Sequence, residues 1–202
     1  MSSIKCFVLE PTKEVWASLR RYRSSAEKEC PGKYGYHNAH FNLGEFNEDK
    51  YRDEDLHTAF PKTDERWPKK CEYCDYQFED KDQWQIFRDH IWIRQDTGEK
   101  VSLRNAPAGA LYRATWYEPN YAVGKDGQSW CCVLPGGHVW TIDGRASNCT
   151  LPNDKEHRCW VRHGVAPDFH IDKNGHTCAA GAGSILAGGY HGFLHNGHLV
   201  QC

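Results

Sequence analysis

The stretch His191-Gly192-Phe193-Leu194-His195-Asn196-Gly197-His198-Leu199-Val200 decides the fold. Asn-Gly between two apolar runs predicts a type I′ hairpin, because both turn residues must adopt positive φ. Working outward, short apolar runs recur between turn signals. They predict strands at 110–117, 129–134, 139–143, 158–162 and 190–194, with Pro135-Gly136-Gly137 turning between two of them. Asp96-Thr97-Gly98, flanked by Ile91–Arg94 and Lys100–Leu103, reads as a second hairpin.

The first half is different. Residues 1–100 hold 20 of the 27 acidic residues and only four of the 18 glycines, so this half reads as charged and solvent-rich. Ile4–Leu9 predicts a strand closed by Pro11. Lys13–Arg23 fits either period: Val15, Trp16, Leu19 and Tyr22 suit a helical face, and Val15, Ala17 and Leu19 also alternate. Cys30–Gly44 reads as irregular, and Glu45–Lys70 as an exposed excursion. Asp80 or Asp82 is expected to cap a helix reaching about His90, with Trp84, Phe87 and Ile91 on one face. Two regions follow, 1–100 and 101–202, which can also form one continuous domain.

Composition sets limits on function. The chain of 202 residues has a formal net charge of −2, which argues against a protein that coats nucleic acid. No apolar run approaches the ~18 residues of a membrane span, and Met1–Phe7 has no signal-peptide pattern. Leu, Ile, Val and Phe make up about 17% of the chain, below the ~20% that signals disorder. Eight Trp, ten Tyr and ten Cys supply the missing apolar bulk. In a reducing cytosol ten cysteines are thiols or metal ligands.

Cys71-Glu72-Tyr73-Cys74 is the sharpest chemical motif. Two thiolates two residues apart grip one Zn²⁺ from a tight turn, and a tetrahedral site needs two more ligands. The candidates are Cys30, His37, His40, His57 and His90. Cys30 and His37 complete the expected zinc set with Cys71 and Cys74. The plain alternative is a pair of unconnected structural cysteines. The expected fold is accordingly α+β and β-rich, with a zinc knuckle in the N-terminal half. The C-terminal half is expected to be antiparallel β, with short strands and tight turns.

Cys131, Cys132, Cys149, His157, Cys159, His163, Cys178 and His191 form a second group. On a strand, His157, Cys159 and His163 share a side. The group suits a second metal site, a Cys–His nucleophile, or plain packing. A hydrolase would need Cys159, His163 and either Cys132 or Cys178 to converge in a cleft, with Asp143 or Asp168 orienting the histidine. Neighbouring Cys131 and Cys132 point to opposite strand faces and do not pair. Sulfurs about 3.7 Å apart would fit thiolates sharing a zinc, whereas about 2 Å would mean a disulfide.

Two weaker signals remain. Cys178–Ile185 is rich in small residues but lacks the lysine of a phosphate loop. Arg20-Arg21-Tyr22-Arg23, with Lys28 and Lys33, reads as a solvated face or a protein contact before a phosphate site.

The phrases RWPKKCEYCDYQFEDKDQWQ, CCVLPGGHVWTIDGRASNCT, HRCWVRHG and NGHTCAAGAGSILAGGYHGFLHNG resemble an uncharacterised family of tailed bacteriophages and prophages. Its C-terminal part is a domain of unknown function ending in a Ser-Ile…Tyr-His-Gly-Phe-Leu hairpin. The resemblance covers roughly residues 66–199, with a weaker echo at RRYR and GYHNA. It implies synthesis in a host cytoplasm and assigns no role to any residue. The expected function is a non-enzymatic, zinc-stabilised structural or interaction protein, a minor or decorating virion component. Its partners would be other protein chains, virion proteins among them, with no membrane and no nucleic acid as main partner. The alternatives are the metal- or cysteine-dependent hydrolase and an intracellular effector that binds a host protein or nucleic acid.

Overall fold

The computed structural model describes residues 3–23, 30–32, 35–47, 53–118, 123–180 and 183–202. In chain order the strands are β1 (Ser3–Lys5), β2 (Phe7–Arg23), β3 (His37–Asn47), β4 (Gln83–Arg94), β5 (Lys100–Ser102), β6 (Ala110–Arg113) and β7 (Trp130–Val133). They continue with β8 (Val139–Thr141), β9 (Val161–His163), β10 (His170–Asp172), β11 (Ile185–Ala187), β12 (Tyr190–His195) and β13 (His198–Gln201). Among the described residues the one α-helix is α1 (Asp53–Ala59), so the chain is β-rich and helix is a minor part of it. That helix is too short to cross a membrane. The chain forms two compact units, residues 1–10 with 92–202 and residues 11–91.

The first unit is built around the hairpin read from the sequence. β12 and β13 pair with Leu194 opposite Leu199 and His195 opposite His198, leaving Asn196-Gly197 as a two-residue turn. Asn196 has φ +46° and Gly197 φ +72°, as a type I′ turn requires. β1 and β11 extend this hairpin into an antiparallel sheet ordered β1-β13-β12-β11. Tyr190, Leu194 and Leu199 are buried while His191, Phe193 and His195 are exposed, the alternation of a sheet with one covered face.

That covered face shares a core with β6 and β7. Leu111, Cys132, Leu134, Trp140, Ile142, Phe169, Ile171 and Ile185 pack with Cys6, Tyr190, Leu194 and Leu199. The opposite faces of β6 and β7 enter a second core with Phe7, Leu9, Trp92, Ala110, Tyr112, Cys131 and Val133. Cys131 and Cys132 therefore lie in different cores, as strand pleating demands.

The expected single strand at Ile4–Leu9 is two strands. At Cys6 the chain changes sheets: the Cys6 amide donates to Gly197, and the Phe7 amide to Gly109. β1 pairs antiparallel with β13, whereas β2 runs parallel to β6. Nor does Pro11 end the strand. β2 continues through it to Arg23.

In the second unit Lys13–Arg23 is a strand. Val15, Ala17, Leu19 and Arg21 are buried at a period of two. Arg21 is tolerated there because its guanidinium lies 3.6 Å over the Trp84 ring and donates to the Glu79 carbonyl. β3 occupies much of the region expected to be irregular, pairing with β2 from Asn47 to His37 through a bulge between Ala17 and Ser18.

The expected helix through His90 is β4. Asp82 caps no helix. Its carboxylate accepts from the Glu79 amide at 2.7 Å and the Tyr76 hydroxyl at 3.0 Å, closing a turn before the strand. The expected excursion 45–70 also contributes to the interior: Leu56 of α1 and Trp67 are buried, and the Trp67 indole donates to the Pro61 carbonyl at 2.9 Å.

One buried ion pair ties the turn-rich part of the first unit to β9. Arg162 donates through Nε to Asp143 at 3.1 Å and through Nη2 to Asp126 at 2.9 Å, and it stacks over Phe169. The Asp143 side chain is 3% exposed. Burial raises the Asp143 carboxyl, opposed by Arg162 and by the Trp130 amide. Removing the guanidinium leaves a buried charge without its partner. Arg162→Ala should cost about 3 kcal/mol at neutral pH. The deficit should shrink on acidification, because a carboxyl whose pKa is raised in the folded state takes up its proton there first. Urea unfolding of wild type and variant at pH 7 and pH 5 measures both, and an equal deficit at the two pH values contradicts this.

Candidate metal centres

Two sets of four side chains bring their ligand atoms within 4.8 Å of one another: Cys30, His37, Cys71 and Cys74, and Cys149, His157, Cys159 and Cys178. Each set could hold a metal ion.

The first set assembles in the second unit from three backbone features. A Lys70–Gln77 bridge carries the Cys71–Cys74 turn, closed by the Cys71 amide on Tyr76 at 2.9 Å and the Phe78 amide on Lys69 at 2.8 Å. His37 opens β3. Cys30 precedes the Pro31-Gly32 turn, where a Cβ on Gly32 would lie 2.6 Å from the Tyr73 ring. Glycine is what lets the two turns close together.

The separations are those of ligands around a common centre. Cys30 Sγ lies 3.8 Å from Cys71 Sγ, and Cys74 Sγ lies 3.2 Å from His37 Nδ1. Zinc–ligand bonds of about 2.3 Å to sulfur and 2.0 Å to nitrogen place tetrahedral neighbours roughly 3.5–3.8 Å apart. A disulfide would need about 2.05 Å, and all ten cysteines are free thiols.

The surroundings favour thiolate at one position. Burial raises the Cys71 thiol, but the amides of Tyr73 and Asn38 and its cysteine neighbours bring it below the ordinary value. Those amides point at Cys71 Sγ from 3.5 and 3.4 Å. Cys30 is raised, chiefly by burial, with the Gly32 amide opposing and the neighbouring cysteines adding to the rise. His37 is held flat against Tyr76, with ring centroids 4.1 Å apart. The Tyr76 hydroxyl in turn accepts from Arg23 at 2.7 Å and donates to Asp82. Such outer contacts fix the orientation of a ligating ring.

The second set assembles in the first unit from loops. The Asp154 carboxylate accepts the amides of Glu156 and His157 at 3.0 and 3.2 Å, turning the chain so that His157 points inward. Lys173 donates to the carbonyls of Cys159 and Ala180 at 2.6 and 2.7 Å, tying the last two ligand-bearing segments together. His157 Nε2 faces Cys149 Sγ at 3.4 Å and Cys159 Sγ at 3.5 Å, and Cys178 Sγ lies 3.9 Å from Cys159 Sγ. Burial pushes the Cys159 thiol up to about 11. Cys178 is raised by burial but brought down to about 6 by the Thr150 and Ala180 amides.

His157-Arg158-Cys159 lies outside any strand, so the pleat does not bring these two side chains together; the Asp154 turn does. The proposed nucleophile constellation is divided among three sets of partners. Cys159 and Cys178 share the second set. Cys132 packs with Cys6, whose hydrogen bond raises its thiol further. His163 faces Asp172 at 2.8 Å, opposite His170 in the β9–β10 pair.

The other candidates also have different partners. The His40 amide donates to Glu72 at 2.6 Å, His57 is exposed on α1, His90 is exposed on β4, and His191 faces Ser184 at 3.3 Å. Arg20 donates to Asn38 and Tyr36, so the Arg20–Arg23 run is absorbed in contacts within its own unit. Lys28, Lys33 and part of the 178–185 stretch lie outside the described residues. Sequence reading named all four members of the second set without isolating them. The discriminating signal is a strand-poor segment, Cys149 to Cys159, that carries three of the four, joined by one more distant thiol, Cys178.

Comparison of the chain with protein-family models, curated proteins and solved structures finds no match.

Gly32→Ala should weaken metal affinity roughly ten-fold by displacing Tyr73, the size of effect seen when a ligand's supporting contacts are lost. Competition with a chromogenic chelator measures it, and an unchanged affinity contradicts the role given to this close approach. In the same assay wild-type affinity should fall as pH is lowered from 7 to 5, since thiols and imidazole must shed protons to bind. A flat profile would contradict ligation by these groups.

Proposed function

We propose that the protein is a non-enzymatic, zinc-stabilised structural or interaction protein. The observation that carries this reading is the closed Cys₃His geometry at Cys30, His37, Cys71 and Cys74. Four protein ligands leave no open position for substrate or water, which is the mark of a structural rather than a catalytic zinc. Three sulfurs and one nitrogen suit zinc's tetrahedral preference among the common cellular metals.

The first set lies in a unit short of aliphatic bulk. Its cluster of Cys30, Ala39, Cys71 and Phe78 is small, with Cys74 and Tyr76 packed against it. A metal bond network compensates for such a core, because binding energy at a site absent from the unfolded chain is folding energy.

The hydrolase reading has less support. Cys132 and His163 face other partners, as above. A groove of about 390 Å³ in the first unit is lined by Lys125, Glu156, Arg158, Trp160 and His176 among others, and by none of the eight ligand residues. The phage-particle setting rests on the sequence resemblance. It makes the protein a minor or decorating component whose partners are other particle proteins.

Two measurements test the reading. Metal analysis of purified wild-type protein should find zinc, and Cys71→Ser/Cys74→Ser should lose one equivalent and melt at a lower temperature. Wild-type protein free of zinc, or a double variant with unchanged zinc content, contradicts it. Mass spectrometry of purified phage particles should find the chain, and its absence contradicts the particle role.

A further inference from the structure

We propose that Cys149, His157, Cys159 and Cys178 bind a second zinc ion, independent of the first, and that this ion organises residues 145–180 of the first unit. The reading does not depend on the first site, since the two sets lie in different compact units.

Three observations carry it. The first is the geometry already given, with three sulfurs and a nitrogen within 4.8 Å. Two loops converge, one carrying Cys149, His157 and Cys159 and the other Cys178, the Cys159–Cys178 pair spanning 19 positions. Chance packing of small thiols does not require such a convergence of one imidazole on three sulfurs.

The second is His157 itself. It is fully buried, at 0% exposure, with Nε2 turned to two sulfurs and no hydrogen-bond partner at Nδ1 among the described residues. A buried imidazole in that state demands an explanation. Thiols are weak partners for Nε2. A zinc ion at Nε2 replaces them with a coordinate bond and fixes the tautomer with the proton on Nδ1, where a bound water can accept it.

The third is the state of the surrounding chain. Between Gly144 and Trp160, and again between Lys173 and Ala180, there is no strand or helix. Amide and guanidinium donors shape these loops instead. The Ala146 amide donates to Cys159 Sγ at 3.2 Å and the Ala180 amide to Cys178 Sγ at 3.4 Å. Arg145 donates to the Leu151 carbonyl at 2.6 Å and to the Asp154 carbonyl. The Cys149, Asp154 and Arg158 amides donate to Ala146, Leu151 and His176. Amides aimed at sulfur stabilise thiolate, the form a metal needs. A chain without a ladder to hold it gains most from a cross-link that closes its loops.

The first set has one half-exposed ligand, Cys74, whereas the second has two, Cys149 and Cys178. Solvent and competing chelators therefore reach the second ion more readily.

Native mass spectrometry with Zn²⁺ as the probe tests the proposal. Wild-type protein should carry two zinc ions. Cys178→Ser, a half-exposed position, and Cys159→Ser should each carry one, while Cys71→Ser/Cys74→Ser should keep the second ion. Hydrogen exchange of wild-type protein should show residues 145–180 losing protection at the lower chelator concentration, before residues 30–78. A wild-type chain carrying only one ion, lost in the Cys71/Cys74 variant, overturns the second site and leaves the first intact. Two ions retained in Cys178→Ser and Cys159→Ser overturn the ligand assignment. Wild-type ¹¹³Cd spectra check the count without any variant: two resonances support it, and a single one overturns it.

Discussion

A thiolate taken out of water is costly unless a cation or well-aimed N–H groups face it. The structure meets that constraint twice, each time with three cysteines crowded around one buried imidazole. Mutual repulsion of three thiolates would scatter such a cluster. The backbone holds sulfurs 3.8 and 3.9 Å apart, farther than a disulfide requires and close to the spacing of thiolates that share a tetrahedral zinc. A tetrahedral metal, as proposed for both sets, would supply the charge and the directed bonds together. The turns at Pro31-Gly32, Lys70–Gln77 and Asp154–His157 serve to place those eight ligands.

The rest of the fold divides the work by composition. Where aliphatic residues are available, as in β12 and β13, pleated strands bury them at a period of two and need no staple. β7 uses the same alternation to send Cys131 and Cys132 into separate cores, so a vicinal pair of thiols stays inert as packing. Where aliphatic residues are scarce, stacking takes over. Arg21 over Trp84 and Tyr76 over His37 each combine a ring with a charged or candidate metal-binding group.

Local chemistry was the legible part. Asn196-Gly197 announced its turn through φ, and Cys71-x-x-Cys74 announced a knuckle through its spacing. The β-rich character followed from short apolar runs between turn residues. What failed were segments whose period is ambiguous. Trp84, Phe87 and Ile91 suit a helical face, yet Gln83-Trp84-Gln85-Ile86 alternates, and tertiary pairing chose the strand. Cys30 and His37 were legible as candidates because few other ligands lie upstream. The grouping of Cys149 and Cys178 with His157 and Cys159 was not, because loops set it through Asp154, Lys173 and Arg145 rather than through any period. The change of sheet at Cys6 is likewise a long-range choice that no local pattern records.

The proposal places three sulfurs and one nitrogen around each zinc. X-ray absorption at the zinc edge of the purified, zinc-loaded protein tests it most directly. The account predicts an average shell of three sulfurs at about 2.3 Å and one nitrogen at about 2.0 Å per zinc. A shell dominated by oxygen, or one with two sulfurs or fewer per zinc, would contradict it.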